Sequence, residues 1–161
     1  MSSAAPQPQA PPGGIQGLLL PDPVQRIVAG FEQLTQQRLP ELLALYSADA
    51  RFKDPFNDVV GRDRIERVYR HMFDALELPR FVVTGRVVAP GQCVLTWEFH
   101  FGFKRFQGGR RHSVRGASHL LLTDQGQICL HRDYWDPAEE IYEKLPLLGP
   151  LMRWLKRRAA T

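Results

Sequence analysis

Two groups of residues combine the side-chain types and the spacing that acid–base chemistry needs. Asp133 alternates with His131 and Trp135, so in a β-strand all three side chains lie on one face. A carboxylate enclosed among aromatic side chains is typical of a catalytic group. Glu98 and His100 form a second pair on an earlier strand. With Asp133 as the base and His100 or Glu98 as the acid, the chain would activate water and protonate a leaving oxygen.

A third carboxylate, that of Asp54, has two interpretations. Asp54 directly precedes Pro55 in the turn 54–58, and an aspartate in this position caps a turn through its own side chain. The same carboxylate could instead assist as a base. Asp133 also has a structural alternative, an ion pair with Arg132 at a strand edge. The sequence leaves both questions open.

The cysteines and histidines give no sign of a metal centre. The two cysteines, Cys93 and Cys129, are too few for a disulfide framework and lack metal-ligand spacing, so we interpret them as small buried apolar residues. The five histidines also lack such spacing. We therefore expect no metal and no cofactor.

The charge of the chain is unevenly distributed. Its 161 residues have room for one domain with a single core, and their formal net charge is +4. The excess comes from residues 144–161, because acidic and basic residues are equal in number over residues 24–143. A nucleic-acid-binding domain usually carries a basic face, so we expect no nucleic-acid partner. Without a targeting segment or an apolar run of about 20 residues, we expect a cytoplasmic protein.

Composition divides the chain into three segments. Residues 1–22 are rich in proline and glycine and are predicted to be a disordered leader. Residues 23–145 are predicted to form the folded domain, and residues 146–161 a basic amphipathic helix. We favour packing of the apolar side of this helix on its own domain, and contact with a membrane surface is the alternative.

The apolar spacing predicts helices first and strands afterwards. Asp22 and Pro23 are a typical helix start, and Pro79 marks the change from a period of 3.6 to one of 2. Short turns make the strands antiparallel neighbours, so we expect an α+β domain with helices on one face of the sheet. The predicted helices cover 24–37, a short segment from 40, a segment between 61 and 79, and 137–144. The predicted strands cover a brief piece at 50–53 and then 81–89, 93–106, 110–123 and 127–135.

The second of the four long strands carries an aromatic run on one face. Trp97, Phe99, Phe101 and Phe103 alternate with polar residues, and the run is too apolar to be left in water. It must therefore be core or dimer interface. A one-residue bulge near Gly102 would exchange the two faces of this strand, so its inward face stays open.

Two parts of the chain resemble a known superfamily. Residues 46–55, YSADARFKDP, and 61–65, GRDRI, resemble the opening of the nuclear transport factor 2-like superfamily. Residues 126–136, GQICLHRDYWD, are similar to the end of its SnoaL-like and limonene epoxide hydrolase branches. The resemblance, over about residues 24–143, implies a cone-shaped α+β barrel in which three N-terminal helices pack on a strongly bent antiparallel sheet, followed by a C-terminal helix. It also implies a mostly apolar cavity and a homodimer formed through the outer sheet face.

The resemblance also implies roles for particular residues. Asp54 corresponds to the general base of ketosteroid isomerase, and Asp133 to the water-activating aspartate of limonene epoxide hydrolase. The oxyanion donors of the isomerase would fall on Ile27, which cannot donate a hydrogen bond, and on Ser118, a weaker donor than a carboxylic acid. The Arg-x-Asp pair of the hydrolase is missing. We therefore expect a domain that binds a small hydrophobic ligand in an internal cavity, with an isomerase-like or epoxide hydrolase-like enzyme as the alternative.

The strand faces and the family pattern together single out the candidate site residues. The candidate catalytic residues are Asp133, Asp54 and His100. The candidate ligand-binding residues are Glu98, Ser118, His131, Trp135, Tyr46 and Leu120.

Overall fold

The structure, a computed structural model, describes residues 22–104 and 111–137. The described residues include only residue 22 of the predicted leader, only residue 137 of the predicted helix 137–144, and none of the predicted C-terminal helix. These elements and the domain limits therefore stay predictions. No helix in the described part of the chain is long and apolar enough to span a bilayer. In chain order the elements are α1 (Pro23–Glu32), α2 (Leu39–Leu43), β1 (Tyr46–Lys53), β2 (Asp58–Val60), α3 (Arg62–Ala75), β3 (Leu76–Ala89), β4 (Gln92–Phe103), β5 (Arg111–Leu122) and β6 (Ile128–Tyr134).

Helix α1 begins where the capping residues predict and ends earlier than expected. The Asp22 carboxylate accepts a hydrogen bond from the Val24 N–H at 3.0 Å, and Pro23 occupies the first helical position, where its missing N–H costs nothing. The helix ends at Glu32, not at residue 37. Beyond it, the Arg38 N–H bonds to the Thr35 hydroxyl, and this local turn takes the place of the last predicted helical turn.

Helix α3 ends before Pro79, and Pro79 lies inside a strand. The helix buries Ile65, Tyr69 and Phe73, and β3 follows it directly at Leu76. The pairing of β3 with β4 shifts register between Glu77 and Arg80, across Pro79. Because proline has no N–H to donate to the ladder, a strand accommodates it at such an irregularity. The predicted strand start at 81 is therefore too late.

The sheet has six strands in the order β2-β1-β6-β5-β4-β3. All neighbours are antiparallel except β1 and β6, which are parallel, so the expected all-antiparallel sheet is corrected. The periodicity predicted four of these strands but reduced β1 to a short piece and missed β2, because the pairing of β1 is itself irregular between Tyr46 and Arg51. Strands β2 and β3 are the two edges of the six described strands, and the sheet curls without closing into a barrel.

The helices cover one face of the curled sheet. Helix α1 contacts β3, and α3 contacts β1, β2 and β3. Strand β4 pairs with β5 from Gln92 to Gly102 without a register shift, so no bulge in this pairing exchanges its faces. The side chains of Trp97 and Phe101 are buried, and Phe99 is partly buried beside them. The aromatic run of β4 therefore faces the interior.

Gly116 on β5 makes room for the Trp97 ring on the neighbouring strand. A Cβ atom at Gly116 would lie only 2.4–2.9 Å from three atoms of this ring. Contacts this short require a shift of either the ring or the strand. Trp97 is held in place by its own hydrogen bond to Ser118, so the ring has little freedom to move.

We expect Gly116→Ala to lower the free energy of unfolding by about 1–3 kcal/mol, because it overpacks the contact with Trp97. Urea denaturation measures this. Arg115→Ala, at the exposed neighbouring position, is the control and should change the free energy of unfolding by about 0.5 kcal/mol or less. Trp97→Phe should relieve part of the cost in the double variant, whereas simple additivity of the two changes would contradict the proposed clash.

Candidate functional site

A pocket of about 580 Å³ lies between α3 and the inner face of the sheet. The aromatic run of β4 supplies much of one wall, and α3 supplies the opposite edge through residues such as Val68 and Met72. The wall is mostly apolar, with a small number of polar side chains. The aromatic residues that β3, β4 and the segment after β6 contribute are Phe81, Trp97, Phe99, Phe101, Phe103 and Trp135.

Asp133 and His131 form the polar end of the pocket. The two residues are two positions apart on β6, so the alternation of the strand turns both side chains inward. His131 Nε2 lies 2.8 Å from Asp133 Oδ1, and Ser118 on β5 donates its hydroxyl to the same oxygen. The Trp97 indole N–H in turn donates to Ser118 Oγ at 2.8 Å. Oδ1 of the carboxylate is thus held by one side chain from β5 and one from β6.

Two tyrosines continue this network behind His131. The Tyr46 hydroxyl lies 2.7 Å from His131 Nδ1 and 3.1 Å from the Tyr69 hydroxyl. If Asp133 is ionised and His131 is neutral, these distances require Nε2 to donate to Asp133, Nδ1 to accept from Tyr46, and Tyr46 to accept from Tyr69. We call this set the polar chain, and its members are Tyr69, Tyr46, His131, Asp133, Ser118 and Trp97.

Burial keeps the two tyrosine hydroxyls protonated. It raises the pKa of Tyr46 well above its ordinary value, with the neighbouring Tyr69 adding to the effect. Burial also raises the pKa of Tyr69, and the carboxylates of Asp133 and Asp54 raise it further. His131 is 2 % exposed and is enclosed by rings, with Phe52 edge-on at 4.8 Å between ring centroids. The polar chain is therefore a fixed, water-poor part of the core.

One oxygen of Asp133 has no hydrogen-bond donor in the part of the chain that the structure describes. The hydrogen bonds from His131 and Ser118 both go to Oδ1, and no described residue donates to Oδ2. The side chain is 14 % exposed and lines the pocket. Oδ2 is therefore positioned to contact a ligand or a water molecule in the pocket.

Asp54 lines the pocket, but its carboxylate is occupied by its own turn. It accepts hydrogen bonds from the backbone N–H groups of Phe56 and Asn57 and from the Asn57 side-chain amide. These are the contacts of the turn-capping interpretation. A role of Asp54 as a base stays a prediction, and these bonds would have to be broken or shared for it.

Glu98 and His100 lie on the opposite side of the sheet from the pocket. Because β4 turns its aromatic run inward, its even-numbered residues face outward. There His100 Nε2 lies 3.4 Å from one Glu98 oxygen, and Arg115 lies 3.4 Å from the other. The expected pairing of either residue with Asp133 is corrected, because the sheet itself separates them. A homodimer formed through this outer face stays a prediction.

The remaining candidates fall into three positions. Ser118, His131 and Trp135 line the pocket, as a ligand-binding residue must. Tyr46 is fully buried and does not line the pocket, but its hydroxyl contacts His131 and Tyr69, which do. Leu120 is a core residue without exposure and is not part of the pocket wall.

Sequence reasoning missed Tyr69 and the hydrogen bond of Trp97. In the sequence, Trp97 belongs to the aromatic run, and Tyr69 lies within the helix predicted between 61 and 79. A buried tyrosine or tryptophan usually needs a polar partner, and this was the available signal. The partners are Tyr46 and Ser118, which lie 23 and 21 residues away, so spacing alone does not reveal them. Within the described ranges, no three His, Cys, Asp or Glu residues group as a metal site would require.

Comparison with known proteins identifies the relatives of this chain. Residues 24–131 match the SnoaL-like domain family. No curated protein sequence matches the chain significantly.

Solved structures share this fold at low sequence identity. An NTF2-like protein of unknown function from Burkholderia pseudomallei is 18 % identical, with a TM-score of 0.66 over 76 % of this chain and 96 % of the other. A candidate SnoaL-like polyketide cyclase from Shewanella putrefaciens is 18 % identical, with a TM-score of 0.66 over 80 % and 98 %. A candidate polyketide cyclase from Xanthomonas campestris is 16 % identical, with a TM-score of 0.61 over 73 % and 90 %. The expected superfamily is thereby confirmed.

The raised pKa values predict a loss of stability in alkali. The unfolded chain releases the protons of Tyr46 and Tyr69 near pH 10, while the folded protein retains them to higher pH, so the free energy of unfolding falls as the pH rises above 10. Tyr69→Phe removes one of the two groups and should reduce this fall. At neutral pH it should cost about 1 kcal/mol, because one hydrogen bond is lost.

Urea denaturation at several pH values between 8 and 11 measures both effects. Tyr134→Phe is the matched control, because this tyrosine is 49 % exposed and lies outside the polar chain. An alkaline fall that is equally steep in wild type and Tyr69→Phe would show that burial of the Tyr69 hydroxyl is not its cause.

Proposed function

Since the chain belongs to the SnoaL-like domain family of the nuclear transport factor 2-like superfamily, we propose that it binds a small hydrophobic molecule in the pocket between α3 and the sheet. The fold of this superfamily accommodates many activities, so the proposal rests on the pocket itself. The observation that carries it is a wall of aromatic and aliphatic side chains around a few fixed polar groups.

The size and the lining of the pocket support this class of ligand. Its volume of about 580 Å³ lies within the range of about 300–1,000 Å³ that is usual for small-molecule sites. Burial of apolar surface contributes about 25 cal/mol per Å², so walls of this kind favour a largely apolar ligand. Polar groups are few and preorganised, which is the arrangement that orients a ligand without dominating its affinity.

The polar chain supports a defined orientation of the ligand. Oδ2 of Asp133 is the oxygen without a donor from the described residues, and it lies where a ligand hydroxyl or amide N–H could donate to it. The Asp133 side chain is held by Ser118 and His131, so little side-chain entropy is lost when a ligand binds.

Binding is tested with N-phenyl-1-naphthylamine, an uncharged apolar dye whose fluorescence rises in apolar surroundings. We expect saturable one-to-one binding to the wild-type protein. Met72→Trp fills part of the pocket from α3 and should lower the affinity about tenfold, equivalent to about 1.4 kcal/mol.

Val87→Trp provides the matched control. It adds the same ring at an edge-strand position that is 71 % exposed and does not line the pocket. The affinity for the dye should therefore stay unchanged in this variant. Equal affinities in wild type and Met72→Trp would place the dye elsewhere and would contradict the proposal.

A second candidate function, acid–base catalysis, is favoured by one observation. Asp133 directs a carboxylate oxygen without a described donor into a mostly apolar pocket, and such an oxygen is suited to take a proton from water or from a carbon next to a carbonyl. His131, with Tyr46 behind it, would stabilise the changing charge of Asp133. The acid of this reaction is not Glu98 or His100, because both lie on the outer face.

Catalysis is tested by measuring turnover of epoxides and of β,γ-unsaturated ketones. If Asp133 is the base, Asp133→Asn should lower the rate about 100-fold or more, because a positioned base contributes about 10²–10⁴-fold. Asp124→Asn, an exposed aspartate outside the pocket, should leave the rate unchanged. Equal rates for wild type and Asp133→Asn would remove Asp133 from the mechanism.

A further inference from the structure

Helix α3 places basic side chains along the open edge of the pocket. Arg64, Arg67 and His71 all line the pocket and are exposed. They are spaced three and four residues apart, so they follow one another along a single side of the helix. At the sheet side, by contrast, Asp133 is only 14 % exposed. The pocket therefore has a basic outer edge and an acidic inner end.

The guanidinium groups of Arg64 and Arg67 have no partner among the described residues. Neither forms an ion pair or a hydrogen bond with any residue in the described part of the chain. Two other arginines of this helix do have such partners: Arg70 pairs with Glu66 at 2.5 Å, and Arg62 donates to the Tyr46 carbonyl. Among the described residues, nothing competes with a ligand for the donors of Arg64 and Arg67 at the edge of a largely apolar pocket.

The two carboxylates in the pocket wall also bear on where the negative charge of a ligand would lie. Asp133 lies at the inner end and repels a second negative charge there. The carboxylate of Asp54 accepts hydrogen bonds from N–H groups of its own turn and forms no ion pair with Arg64 or Arg67. An anionic group of a ligand is therefore disfavoured next to Asp133 and favoured next to Arg64 and Arg67. Arginine is also well suited to this contact, because its planar fork binds carboxylate and sulfonate oxygens in pairs.

We propose that the natural ligand of this pocket is an amphiphilic organic acid, whose apolar body lies against the aromatic wall and whose anionic group is held by Arg64 and Arg67. This inference rests on the proposed binding function and narrows its ligand class. It requires that the anionic group contributes to affinity at the α3 edge, and that an uncharged molecule of the same shape binds without this contribution.

Two dyes of similar shape separate the contribution of the anionic group from that of the apolar rings. 1-Anilinonaphthalene-8-sulfonate carries one sulfonate, and N-phenyl-1-naphthylamine is the same ring system without it. In the Arg64→Gln/Arg67→Gln double variant, we expect the affinity for the sulfonate to fall about tenfold, as loss of charge-assisted hydrogen bonds predicts, and the affinity for the uncharged dye to stay within about twofold. Raising the salt concentration from about 0.05 to 0.5 M should weaken only the sulfonate, because salt screens exposed charges.

Three controls make the result specific to the pocket edge. Arg70→Gln removes a positive charge from the same helix away from the pocket and should leave both affinities unchanged. Met72→Trp should weaken both dyes, which shows that both bind in the pocket. Decanoate should displace the sulfonate dye from wild type more effectively than decan-1-ol does, and this preference should disappear in the double variant.

The outcomes separate this inference from the function on which it rests. If the sulfonate binds the double variant as tightly as wild type while the uncharged dye still binds in the pocket, the inference is wrong and the binding function stands. If Met72→Trp weakens neither dye, or if neither dye binds, both are wrong. If the Arg64→Lys/Arg67→Lys variant recovers part of the sulfonate affinity, the positive charge at the edge is the cause of binding.

Discussion

The polar chain is the constraint on which the rest of the site depends. A carboxylate and an imidazole can remain in a mostly apolar interior only if their hydrogen-bonding groups have partners. Asp133 and His131 are hydrogen-bonded to each other. Ser118 also donates to Asp133, and the Tyr46 hydroxyl bonds to the other ring nitrogen of His131. This arrangement leaves one carboxylate oxygen of Asp133 directed at the pocket, without a donor among the described residues. Water or a ligand in the pocket can therefore donate to this oxygen.

The geometry of the sheet decides which residues meet at this point. The pairing of β3 with β4 shifts register across Pro79 and again between Val83 and Gly85, whereas β4 and β5 pair without interruption. The aromatic run of β4 therefore faces the same side as Asp133, and Gly116 leaves the space that Trp97 occupies. Helix α3 closes the pocket from the other side and brings Tyr69 into the polar chain. Because side chains alternate between the two faces of each strand, the inner face of the sheet carries both the apolar wall and Asp133.

Local signals predicted much of the fold and part of the site. The start of α1 follows from the capping residues, and four strands follow from the change of period after Pro79. Asp133, His131 and Trp135 were correctly expected on one face, because alternation within a strand needs no tertiary information. The parallel pairing of β1 with β6 was not predicted, since it joins parts of the chain about 80 residues apart. Glu98 and His100 were paired with Asp133 because nothing local indicated the inward face of β4.

The amino-acid sequence by itself determined the superfamily, the order of helices and strands except for β2, and the presence of a carboxylate flanked by aromatic residues on the last strand. These properties depend on neighbours a few residues apart, where spacing and capping chemistry are decisive. Only the tertiary structure decided which strand face is inside, that Tyr46 bonds to both His131 and Tyr69, and that two arginines without a partner among the described residues border the pocket. The physical reason is that each of these depends on contacts between distant segments, and such contacts exist only after the sheet has curled around α3.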